Sequence, residues 1–187
     1  MKPFRRRRRG TVTATFELNE AQLLVNLASQ VVELLEDRNG PSESEPDPLA
    51  SMIGMNGPAL PPEDPVLARL LPDAYRDDPQ EAAEFRRFTE QSLSAGKVGN
   101  ARTIIDSLEA GGLDVGAKHV EVELQPDEVM AWLRGLTDIR IALAVRLGIE
   151  TEEDAERLAE SDDPATVAMG DVFDWLGFVQ ETLVHVA

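Results

Sequence analysis

The chain has 187 residues, 42% of them apolar, which is enough to close one core, and 35 acidic against 18 basic residues leave a formal charge of −17. No run approaches the roughly 18 apolar residues that a membrane-spanning helix needs. Cysteine is absent, so disulfides, thiolate metal ligands, a Cys nucleophile and a thiol switch are all excluded.

The charge is unevenly placed. Lys2 and Arg5, Arg6, Arg7, Arg8 and Arg9 open the chain, and every acid lies after them. From Gly10 onward there are 12 basic against 35 acidic residues, a body of −23. Residues 1–10 therefore read as a flexible basic tail, and 11–187 as a single domain. Arg5 to Arg9 are candidates for holding a polyanion, with RNA, a lipid headgroup and an acidic protein all open, while folding back onto the body and mere charge balance are the plainer readings. The acidic body opposes nucleic acid, whose binding rests on Lys and Arg neutralising phosphates, so only the tail offers it a site. The arginines lead straight into an alternating segment with no apolar h-region, so no secretory signal is read and a cytoplasmic protein is expected.

Val12, Ala14, Phe16 and Leu18 alternate with polar residues, the period of a half-buried strand. Asn19 reads as the cap of a following helix, with Gln22 completing a capping box and Leu18 and Leu23 a staple. That helix carries Leu24, Leu27, Val31 and Leu35 on one face and stops near Asn39-Gly40. Residues 39–65 hold seven of the twelve prolines and read as a flexible Pro-rich loop. Asp64-Pro65 and Asp78-Pro79 open two further helices, and a break is expected near Gly96-Lys97 or Gly99. Strand-then-helix grammar recurs at Val120, Val122 and Leu124, with Pro126 and Glu128 starting a helix that Gly148 ends. Thr151 caps a short acidic helix, and Asp163-Pro164 starts the last one. The expected fold is mainly α, six or seven helices with a small antiparallel two-stranded ribbon.

Candidate chemistry is sparse. His119 and His185 are the only histidines and lie far apart, without metal-ligand spacing. Asp171 and Asp174 share a helical face at i, i+3, a geometry open to a hard cation but equally that of a solvated acidic face. No Gly-rich phosphate loop or nucleophile elbow is present, so no enzyme, cofactor or metal is expected. Arg140 falls on the apolar stripe of Leu133, Leu136, Leu143 and Leu147, and Arg69 and Glu84 adjoin apolar segments. A charge entering a core must be paired. Arg69, Glu84, Arg86, Asp138 and Arg140 are thus expected to form a buried ion-pair network, with a small anionic-ligand site or an enzyme centre as the alternative.

The segments Asp64-Pro65-Val66-Leu67-Ala68-Arg69-Leu70-Leu71-Pro72-Asp73-Ala74-Tyr75, Glu84-Phe85-Arg86, Ala131-Trp132-Leu133 and Leu136-Thr137-Asp138-Ile139-Arg140-Ile141-Ala142-Leu143, in that order, resemble the actinobacterial oxidative-stress regulator (AosR-like) family, formerly a domain of unknown function. The resemblance covers nearly the whole chain. It implies a non-catalytic cytoplasmic regulator or adaptor acting through protein contacts, with a sigma factor or RNA polymerase as partner. It also implies sensing by a cysteine pair, which this chain lacks. Met52 and Met55 are the exposed candidates for oxidation, and Met130 and Met169 read as packing residues.

Overall fold

The β-branched and aromatic alternation after Gly10 builds the centre of a three-stranded antiparallel sheet. The computed structural model describes residues 1–7, 10–38, 60–75, 77–113 and 118–187. Strand β1 is Lys2–Arg6, β2 is Val12–Glu17 and β3 is His119–Leu124, in the order β1-β2-β3. The β2–β3 register sets Phe16 opposite Val120, Ala14 opposite Val122 and Val12 opposite Leu124, so all six face the core together. The antiparallel direction expected for this pair is the one observed.

The expected two-stranded ribbon has a third strand, and the segment read as a flexible tail supplies it. Phe4 is the reason. It is buried, and its ring meets Trp132 edge-on at 5.6 Å and Phe16 at 6.1 Å. Where the two strands meet, Gly10 takes φ +83° and the Arg7 amide donates to the Thr11 carbonyl at 2.7 Å.

Six helices follow or interrupt the sheet among the described residues: α1 (Leu18–Arg38), α2 (Pro65–Leu70), α3 (Pro79–Ala110), α4 (Pro126–Leu147), α5 (Glu152–Ala159) and α6 (Pro164–Val184). Strand β2 pairs as far as Glu17, so α1 begins at once at Leu18, one residue before the expected cap. Glu20 rather than Gln22 then reaches back, accepting the Glu17 amide at 2.7 Å. Asp64, Asp78 and Asp163 cap α2, α3 and α6 as expected, each accepting two backbone amides ahead of a first-turn proline. Helix α4 ends at Gly148 in the left-handed region, φ +69°.

No break occurs near Gly96 or Gly99: α3 is continuous over 32 residues. Each glycine costs a helix about 1 kcal/mol. Packing outweighs that, because Ser94, Val98, Ala101, Ile104 and Leu108 are buried along the same stripe against α1 and α4. Gly135 of α4 permits this close crossing, since a methyl there would lie 2.7 Å from Ile104 Cδ1 and 3.3 Å from the Asn100 carbonyl oxygen. Trp132 sits at the centre with no exposed surface, and its indole N–H donates to Ser107 Oγ at 2.9 Å. Met130 and Met169 are solvent-exposed rather than packed. Met52, Met55 and most of the expected Pro-rich loop at 39–65 lie outside the described residues. Among the described residues, no helix is long and apolar enough to cross a membrane.

Candidate functional site

The five charges expected to form one network occupy separate places. Arg69 and Glu84 are exposed and make no ion pair among the described residues. Arg86 is buried and pairs with Asp73 at the start of α3. Lys97, eleven residues further on and about 16 Å along the helix, pairs with the buried Asp138 at 2.5 Å. Arg140 donates to Gln180 Oε1 at 2.9 Å and lies over the Phe173 ring at 4.9 Å. The rule that buried charges are paired holds, but the partners are Asp73 and Lys97, along with Gln180 and an aromatic face for Arg140. None of these could be assigned from within a single helix, because each contact joins segments distant in sequence.

One of the five, Asp138, lines a surface concavity, and Arg140 bonds Gln180 of the same lining. The concavity is an open groove of about 610 Å³ whose floor is α4 and whose walls are α3 and α6. Lys97 of α3 donates to Asp138 of α4, and Gln180 on α6 donates to Thr137 Oγ1 at 2.7 Å and to the Leu133 carbonyl at 3.3 Å. These contacts fix both walls against the floor. Leu93 and Val184 stand on the rims, 43% and 58% exposed, with half-buried Leu133 between them. Phe88, 54% exposed, lies one turn before Ser92 on the same stripe of α3 and extends the apolar strip beyond the groove.

Burial pushes the Asp138 carboxyl above its ordinary value, although the hydrogen bond and charge of Lys97 pull the other way. Arg134, exposed in the groove, has no carboxylate within ion-pair distance among the described residues. The groove therefore carries a net positive charge, Lys97 and Arg134 against Asp138, in a body of −23.

The basic strand is a second charged feature. Arg5 and Arg6 are exposed on β1, and Arg7 is exposed just after it. Arg7 reaches across β2, donating to Thr13 Oγ1 at 3.2 Å and approaching Glu121 at 3.6 Å. Arg8 and Arg9 lie outside the described residues. His119 is exposed on the outer sheet face and His185 at the end of α6, while Asp171 and Asp174 are both solvent-exposed. Among the described residues, no group of three or more His, Cys, Asp or Glu side chains is placed to hold a metal.

The family described as "Domain of unknown function (DUF2017)" matches residues 1–187. The chain belongs to this family. The DUF2017 chain is similar to proteins named "Oxidative stress regulator AosR" from Mycobacterium tuberculosis and Mycobacterium bovis. Each is 35% identical over 182 residues, covering 90% of this chain and 78% of the relative. A Mycobacterium leprae relative is 32% identical over 181 residues, covering 89% of this chain and 77% of its own. No solved structure matches.

Proposed function

We propose that this DUF2017 protein is a non-catalytic regulatory or adaptor protein of the oxidative-stress response, acting in the cytoplasm through protein–protein contacts. The observation that carries this reading is the 35% identity over 90% of the chain to proteins named oxidative stress regulators. The groove supports it. An open concavity with apolar rims and a fixed charged pair suits a protein contact better than an enclosed reaction centre. The chain contains no cysteine, so its response to oxidant runs through a route other than its own thiols.

The partner class follows from the resemblance: an RNA polymerase sigma factor or the polymerase itself. The test is binding of purified full chain to RNA polymerase holoenzymes reconstituted with individual sigma factors, with transcription from stress promoters as the second readout. Retention by one holoenzyme, abolished by Thr137→Arg on the groove floor, is the expected result. No retention by any holoenzyme and unchanged transcription would refute the sigma-factor and polymerase reading. The alternative is a small anionic-ligand binder or enzyme at Arg140 and Asp138. It is favoured by one observation, that Arg140 has an amide and a ring as partners but no carboxylate among the described residues.

A further inference from the structure

Helices α3 and α6 both pack on α4, and their extensive contacts are with α4 rather than with each other. Three helices arranged this way leave the fourth position of a bundle open, above the outward face of α4. Helices pack at 8–10 Å separations, so the space over a floor helix between two wall helices has the width of one more helix. The α3 wall runs from Ser92 to Asn100, about 12 Å or two helical turns. It presents no sheet edge, so an extended peptide would find no backbone ladder to join.

We propose that this groove receives one amphipathic helix of a partner protein, its apolar residues on Leu93, Leu133 and Val184 and a single carboxylate on Arg134. The inference rests on the protein-contact reading above and specifies its chemistry. Apolar side chains at i, i+4 and i+7 match a two-turn trough with apolar rims. Lys97 is already neutralised by Asp138 at 2.5 Å, which leaves Arg134 as the unpaired cation of the groove among the described residues. An incoming Lys or Arg beside it would meet like charge. The surrounding body is −23, so a partner with a generally acidic surface would be repelled at long range. The fitting helix therefore carries one acid at the edge of its apolar face and bases on its solvent side. Thr137, exposed on the floor, and Gln180 give the helix polar contacts without a further charge.

The test uses the full chain and a displayed library of random peptides on a helical scaffold. Selection on the wild-type chain should enrich the pattern of apolar residues at i, i+4 and i+7, an acid on the flank and bases behind. Enriched peptides should bind Thr137→Arg at least about tenfold more weakly, a loss of about 1.4 kcal/mol. Selection on Arg134→Glu should replace the flanking acid with Lys or Arg. Both positions are exposed, circular dichroism establishes that the variants fold, and Thr137→Val, which removes the Gln180 bond without filling the floor, should keep binding. Failure to enrich, enrichment of extended or patternless peptides, equal binding to Thr137→Arg, or an unchanged acid preference on Arg134→Glu would each overturn the proposal. The selection needs no polymerase. Helix enrichment without holoenzyme binding therefore removes the sigma-factor reading and leaves the groove, and the converse removes the groove.

Discussion

Replacing Lys97 by methionine keeps the length and most of the apolar stem but strips the buried Asp138 of its cation. Lys97 is 18% exposed and Asp138 6%, so the pair sits at the edge of the regime in which losing one partner costs about 3–5 kcal/mol. A ceiling exists, because the orphaned carboxylate can take a proton instead. Starting from an ordinary value near 4, neutralising it at pH 7 costs about 4 kcal/mol, at about 1.4 kcal/mol per pH unit. At pH 5 that ceiling falls to about 1.5 kcal/mol. Lys97→Met should therefore destabilise by about 2–4 kcal/mol at pH 7 and by less than about 1.5 kcal/mol at pH 5. The sign follows from the protons. Asp138 has a raised value in the folded state, so the fold binds a proton more readily than the unfolded chain, and stability from this group falls as pH rises between the two values. Removing Lys97 widens that window. Urea unfolding of wild type, Lys97→Met and Lys97→Met/Asp138→Asn at both pH values measures it, with the double variant recovering most of the loss at pH 7. Equal destabilisation at pH 5 and pH 7, or a double variant as unstable as the single, would refute the reasoning.

Trp132→Ala should cost about 3–5 kcal/mol by thermal or urea unfolding, because it empties the centre shared with Phe4 and Phe16, and Ser107→Ala about 1 kcal/mol through the indole N–H it orphans. Gly111→Ala should cost about 1–3 kcal/mol, since the new methyl would lie 2.7 Å from the Glu121 carbonyl oxygen. Gly148→Ala meets no neighbour and should cost only the left-handed backbone term, about 1–2 kcal/mol. Asp64→Ala should lower stability by about 1 kcal/mol at neutral pH through the lost α2 cap. Desolvation raises the Asp64 carboxyl, but the Arg146 bond and the Val66 and Leu67 amides together hold it below its ordinary value. Its contribution is thus present above the ordinary carboxylate value and is lost as pH falls through the folded one. The wild-type and Asp64→Ala unfolding curves should converge in acid.

Local chemistry was legible in the sequence, and distant pairing was not. The caps at Asp64, Asp78, Thr151 and Asp163 and the stop at Gly148 depend on neighbours a few residues away, and all were readable. The strand at Val12–Glu17 and its antiparallel partner at His119–Leu124 declared themselves by alternation. Strand β1 did not, because its one core residue, Phe4, is flanked by a proline and a run of cations that hide any period. Gly96 and Gly99 read as breakers because the cost of glycine is local, whereas the packing of Val98 and Ile104 that overrides it is tertiary. Around the site, Arg140 stands out as a charge on an apolar stripe, and Asp138 as one of the partners such a charge requires. Lys97 did not, since its only distinguishing property is the carboxylate it meets across the α3–α4 interface.

The pairing of β2 with β3 joins segments about a hundred residues apart in the chain. At roughly 5–20 residues per second, ribosomal synthesis leaves the β1–β2 hairpin without its third strand, and without Trp132, for about 5–20 seconds. During that wait Phe4, Val12, Ala14 and Phe16, all buried in the finished fold, have only α1 to cover them, and a partly covered two-stranded ribbon is the kind of surface that seeds aggregation. The exposed cations of β1 border that face. Charges placed this way act as gatekeepers, setting nascent copies of the hairpin against each other until the second half of the chain arrives to cover it.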